Sequence, residues 1–306
     1  MATQNAPVSS GSGEQFAEVG AIKLCYETFG DASAPPLLLV MGLASQMVLW
    51  DDEFCEQLAE RGLFVIRFDN RDIGRSTILR DKPIPTRLQL ILRDKRGAAY
   101  ELNDMADDAA GVLDHFGIDK AHVVGVSMGG MIAQLLAIRH PDRVLSLVSI
   151  MSTTGNRRVG QPSPRMLPRM LRRARTDREG YLADFAETYG VIGSPRYPRD
   201  PARMRAQGER CFERGIHPAG VARQLGAIVT APDRTPKLRQ LNVPATVIHG
   251  TADRLVMPSG GKATARAIPG ARLVLIDGMG HDLPPELWPQ VIGEITRTAG
   301  LAGTPS

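Results

Sequence analysis

Six short, almost uninterrupted apolar runs recur along the chain: 36–41 (PLLLVM), 63–68 (LFVIRF), 122–126 (HVVGV), 144–150 (VLSLVSI), 245–248 (ATVI) and 273–276 (LVLI). A strand with one wet face alternates apolar and polar residues. A run without alternation is buried on both faces, the condition of a parallel sheet covered by helices. Amphipathic stretches at 51–60, 102–116 and 132–140 fall between the runs. Alternating strand and helix units of this kind predict an α/β fold with an open, mostly parallel, doubly wound sheet. Two earlier stretches, 15–19 and 22–28, read as an antiparallel hairpin at its edge.

The rhythm breaks between about residues 153 and 241, where Arg, Pro and Met are frequent and the pattern suggests several short helices. We therefore expect a core formed by 15–152 and 242–306, a helical cap at 153–241 inserted into it, and a disordered tail at 1–14. A chain of 306 residues buries enough surface to fold without staples. Its three cysteines, Cys25, Cys55 and Cys211, are far apart and without metal-ligand spacing, so they read as free thiols in a reducing compartment. The first residues lack a basic start followed by an apolar stretch, and no run approaches the length of a membrane span. The sequence thus predicts a cytoplasmic protein with no membrane span; oligomeric state is not legible.

The net charge of +4 is unevenly placed. Residues 153–233 carry 15 Arg and no Lys against 8 acids, a balance of +7 that leaves the rest of the chain at −3. Acids and apolar residues are interleaved with the arginines and no nucleic-acid motif accompanies them, so the segment reads as a solvated Arg-rich helical face, with no nucleic-acid partner.

Chemistry enters at Gly125-Val126-Ser127-Met128-Gly129, where the third apolar run meets a helix-like stretch. A serine at such a turn is forced into a strained conformation, and the flanking Gly125 and Gly129 leave room for backbone that approaches closely. Its hydroxyl then projects clear of the sheet at the positive end of a helix. A serine nucleophile needs a base, and the base an orienting acid. Of six histidines, His281 follows Gly278-Met279-Gly280 just past the last apolar run, at the strand end where open α/β sheets build their sites. Asp253 follows the run 245–248 on the same edge. Asp69 reads better as a turn residue, and Asp282 is too close in sequence to turn back to the ring of His281. The Met128 N–H at the helix start and the Leu43 N–H, in a loop where Gly42 lets the chain turn in, are the candidate oxyanion donors. Met166 and Met170, at helical spacing in the insertion, are candidate substrate contacts. No metal site and no cofactor are indicated.

Together, Met41-Gly42-Leu43, the stretch from Asp69 to Ser76 (DNRDIGRS), Gly125 to Gly130 (GVSMGG), His249 to Asp253 (HGTAD) and Gly278 to His281 (GMGH) resemble the α/β-hydrolase superfamily over nearly the whole chain. Within it the chain is similar to the aclacinomycin methylesterase-like bacterial carboxylesterases. They share Met-Gly where many members have His-Gly. The resemblance implies a serine hydrolase cleaving small-molecule carboxylic esters through an acyl-enzyme. Perhydrolysis without a cofactor, lactone hydrolysis and C–C bond hydrolysis reuse the same triad and stay open, and so does a hydrolase-like receptor for a small ligand. A serine at the elbow speaks against dehalogenase and epoxide-hydrolase chemistry, where a carboxylate stands in that place.

Overall fold

A computed structural model describes residues 11–166, 175–197 and 200–301. Its sheet has eight strands: β1 (Gln15–Val19), β2 (Ile22–Phe29), β3 (Pro36–Val40), β4 (Phe64–Phe68), β5 (Ala121–Val126), β6 (Val144–Ile150), β7 (Ala245–Gly250) and β8 (Arg272–Ile276). They lie in the order β1-β2-β4-β3-β5-β6-β7-β8. β1 and β2 form the antiparallel hairpin, β2 pairs antiparallel with β4, and every later pairing is parallel.

The apolar runs serve two faces at once. On one face Leu38, Val40, Ile66, Phe68 and Val123 pack with helices α3 (Leu102–His115) and α4 (Met128–Arg139). On the other, Leu37, Leu39, Val65, Val124 and Ile248 pack with α1 (Asp52–Glu60) and with α10 (Trp288–Thr298), the last helix. Residues one apart point to opposite faces of a strand, so both parities must be apolar when both faces are covered. The run 273–276 departs from this. Leu273 and Leu275 are more than a third exposed, because β8 is the edge strand and one of its faces is left partly open.

Between β6 and β7 the described helices are α5 (Arg178–Ile192), α6 (Pro201–Glu213), α7 (Pro218–Thr230) and the short α8 (Thr235–Leu238). Asp177 and Asp200 cap α5 and α6, each accepting a backbone N–H of the first turn. Among the described residues, the arginines of this excursion do not all lie on one solvated face, and Arg169, Arg172 and Arg173 lie outside the described residues. Arg214 and Arg223 are buried and ion-paired to Asp69 and Asp72 of the sheet domain. Arg203 and Arg210 reach Asp51 and Asp52 at the start of α1. Part of the charge asymmetry is thus a seam: these four cations of the excursion face anions of the sheet domain. Two further helices, α2 (Arg87–Leu92) and α9 (Ser259–Ala267), complete the described α-helices, and short 3-10 turns fall between some of the elements.

Candidate active site

Ser127 stands between β5 and α4 with φ 56° and ψ −119°, a region that costs a side-chain-bearing residue about 1–3 kcal/mol. The surroundings hold it there. The Ser127 N–H donates to the Ile150 carbonyl at 2.9 Å, and the Ser152 hydroxyl donates to the Ser127 carbonyl at 2.7 Å. A Cβ on Gly125 would lie 2.2 Å from the Gly129 carbonyl oxygen, and one on Gly129 would lie 2.1 Å from that of Val40. Both glycines are therefore required by close backbone approach. Gly42 brings the loop after β3 against Ser127, since a Cβ there would stand 3.2 Å from the Ser127 Cβ.

Asp253 and His281 come together from the loops after β7 and β8. His281 Nδ1 lies 2.7 Å from Asp253 Oδ2, and both residues are buried. The other carboxylate oxygen accepts the backbone N–H groups of Leu255 and Val256, each at 2.9 Å. Burial pushes the Asp253 carboxyl up, but the charge of His281 and hydrogen bonds from His249 and His281 outweigh it and hold the group well below the usual carboxylate range. The loop is tight: a Cβ on Gly250 would lie 2.1 Å from the Met279 carbonyl oxygen.

Ser127, His281, Leu43 and Met128 all line one cavity of about 770 Å³. Among the described residues, the N–H groups of Leu43 and Met128 donate to no protein acceptor and Ser127 Oγ carries no hydrogen bond, so the serine and the imidazole share the space without yet being bonded. Asp69 is occupied elsewhere. It accepts the Met47 and Arg75 N–H groups and pairs with Arg214. Asp282 accepts the Ser194 hydroxyl.

The two methionines named from helical spacing fare differently. Met166 is buried but is not among the described residues that line the cavity, and Met170 lies outside the described residues. The excursion lines the cavity instead with Tyr181, Phe185 and Tyr189 on α5, whose rings pack in series. Their four-residue spacing was the available signal. Sequence reasoning also missed Gln224, fully buried on α7. Its Oε1 accepts the Ala44 N–H at 3.2 Å and its Nε2 donates to the Arg71 carbonyl at 2.8 Å, bracing the loop that carries Leu43.

The model of the α/β hydrolase fold family matches residues 35–286. The chain belongs to that family. It is 32% identical to the rhodomycin D methylesterase DauP of Streptomyces sp. strain C5, over 86% of this chain and 90% of the relative. To the rhodomycin D methylesterase DnrP of Streptomyces peucetius it is 31% identical, with the same coverage. Among solved structures, a thermophilic esterase from Thermogutta terrifontis superposes with a TM-score of 0.70 at 25% identity, covering 94% of this chain and 99% of that one. No described helix is long and apolar enough to cross a membrane.

Proposed function

We propose that the protein cleaves small-molecule carboxylic esters through an acyl-enzyme formed on Ser127. Its class, a carboxylic ester hydrolase, rests on the methylesterase relatives and the family. The roles of individual residues are the proposal, and the observation that carries them is the 2.7 Å His281–Asp253 contact at the wall of the cavity into which Ser127 opens. Ser127 Oγ attacks the ester carbonyl while His281 Nε2 takes its proton. That hydrogen bond closes in the substrate complex, as catalytic contacts often do. Asp253 holds the tautomer with Nδ1 protonated and stabilises the imidazolium. The Leu43 and Met128 N–H groups receive the developing oxyanion, and each is worth about 3 kcal/mol of barrier in such sites. His281 then protonates the departing alcohol, and a water activated by the same imidazole releases the acid. Met41, Met131 and Met151 give the cavity an apolar wall suited to an alkyl or aryl group.

A fluorophosphonate should label Ser127, and only Ser127, with loss of turnover of p-nitrophenyl acetate. Undiminished turnover by Ser127→Ala would refute the assignment. A panel of methyl esters, lactones and peracid precursors ranks ester cleavage against the related reactions, and tight ligand binding with no turnover of any of them would favour a receptor.

A further inference from the structure

Arg234 stands at the end of the excursion, 2% exposed, and lines the cavity. Its Nε donates to Gln134 Oε1 at 3.1 Å and its Nη2 to the Thr153 carbonyl at 2.8 Å. Nη1 has no partner among the described residues. The neighbouring Thr153 Oγ1, also a cavity-lining atom's residue, is likewise buried and unpartnered. Both orphans are close to the chemistry, because Thr153 follows Ser152, whose hydroxyl holds the Ser127 carbonyl. Glycine backbone comes close to both atoms: a Cβ on Gly155 would lie 3.1 Å from Arg234 Nη1, and one on Gly160 would lie 2.8 Å from Thr153 Oγ1.

No described carboxylate pairs with this guanidinium. The adjacent Asp233 is engaged by Asn156 and by the N–H and hydroxyl of Thr235. Of the acids lining the cavity, Asp51 pairs with Arg203 and Asp184 with Arg175, Asp200 accepts the Ala202 N–H, Asp282 accepts the Ser194 hydroxyl, and Glu286 is exposed and makes no ion pair with Arg234. Burial lowers the Arg234 pKa to about 10, which leaves the group charged at neutral pH. A second lining arginine, Arg93, has no ion-pair partner among the described residues either, and burial together with the charge of Arg157 lowers its pKa. A buried cation without a counter-ion is expensive unless something else supplies the negative charge.

We propose that Arg234 Nη1 and Thr153 Oγ1 form a carboxylate subsite, so that the preferred substrate is an ester bearing a second, ionised carboxyl group. The proposal rests on the ester-hydrolase reading above and adds the charge of its substrate. A carboxylate accepts both donors at once and neutralises the guanidinium, whereas an uncharged ester oxygen leaves the buried charge in place.

The test compares each carboxylate ester with its uncharged partner. Monomethyl succinate, glutarate and adipate against their dimethyl esters place the charge on the acyl side. 3-Acetoxypropionate and 4-acetoxybutyrate against their ethyl esters place it on the alcohol side. In one of the two arms the wild-type kcat/KM ratio of charged to uncharged ester should exceed tenfold. It should fall at least tenfold in Arg234→Gln and less in Arg234→Lys and Thr153→Val. A bracing role for Arg234 would lower both members of a pair together and leave the ratio unmoved. A ratio at or below one in both arms, or one unmoved by Arg234→Gln, overturns the subsite. Should no ester be turned over, the hydrolase reading fails separately. Calorimetry on Ser127→Ala then decides, with the carboxylate ester expected to bind at least tenfold tighter than its uncharged partner and equal or absent binding overturning the subsite.

Discussion

The cavity has two sides built by different physics. The sheet side, which carries Ser127, Asp253 and His281, is fixed by backbone: a strained elbow, carbonyls within 2.1–2.2 Å of where a glycine Cβ would stand, and loops at the ends of parallel strands. The excursion side is fixed by side chains that reach across a seam, Arg223 to Asp72, Arg214 to Asp69 and Gln224 to Ala44. The two meet again at the histidine loop, where the His281 N–H donates to the Ile192 carbonyl at the end of α5. The difference teaches where each kind of damage should appear. On the proposed reading, injury to the sheet side removes chemistry, whereas injury to the seam costs stability or loosens loops while Ser127, Asp253 and His281 remain present.

The largest effect belongs to the sheet side. Asp253→Asn should lower kcat about 10⁴-fold by favouring the wrong imidazole tautomer, with the fold retained, as seen by circular dichroism. The same variant tests the electrostatics. A carboxyl whose folded pKa lies below its unfolded value of about 3.9 contributes stability that is complete above that value and is lost as pH falls toward the folded pKa. Denaturant titrations between pH 6 and pH 2 should therefore show a shallower loss of stability in Asp253→Asn than in the wild type. Identical slopes would mean that Asp253 is not held ionised by its partners.

Next comes the seam. Arg223 makes two hydrogen bonds to Asp72, at 2.8 and 2.7 Å, and both side chains are at most 1% exposed. Arg223→Met leaves the buried carboxylate without its counter-ion and should cost about 3–5 kcal/mol of stability, while Arg223→Met with Asp72→Asn, which removes the charge but keeps an acceptor for the Leu79 N–H and a residue suited to the φ of 69°, should recover part of it. If the comparison holds, residual turnover scales with the folded fraction, which separates this variant from Asp253→Asn. Gln224→Leu sits between the two kinds. It frees the Ala44 N–H and the Arg71 carbonyl, so the loop bearing Leu43 loosens, and kcat should fall about 10–100-fold. Gln224→Glu keeps the acceptor for Ala44 and should regain part of the loss. A change in KM alone would show that Gln224 braces the cavity wall rather than the positioning of the Leu43 N–H.

The same division explains what the sequence discloses. The parallel strands are legible because two covered faces demand apolar residues at both parities, and Ser127 is legible because backbone crowding dictates glycine at fixed offsets. Asp253 and His281 are legible because each follows an apolar run at the strand end where such sites form, and the structure brings the two together. The excursion is not legible in this way. Several helices were expected there, but an arginine looks the same whether it meets water or a buried aspartate 151 residues away. Composition therefore suggested a solvated face, whereas Arg203, Arg210, Arg214 and Arg223 pair across a seam with acids of the sheet domain. Methionine spacing pointed to Met166, while an aromatic series one helix later lines the cavity.

That last contrast gives the smallest and most specific effect. Phe185 lines the cavity and is half-buried, whereas Met166 is buried away from it. Truncating Phe185 to Ala widens the wall and removes contacts available to a longer acyl chain, but it does not touch the groups that act on the ester bond. One pocket contact of this kind is worth about 1–3 kcal/mol of discrimination. The kcat/KM ratio of p-nitrophenyl hexanoate to p-nitrophenyl acetate should thus fall about tenfold in Phe185→Ala, near the low end of that range. Met166→Ala empties a packed site instead and should cost about 2–3 kcal/mol of stability with the chain-length ratio unchanged. A ratio that moves with Met166 and not with Phe185 would reverse the assignment of the wall and place the substrate against the segment that Met166 begins, rather than against α5.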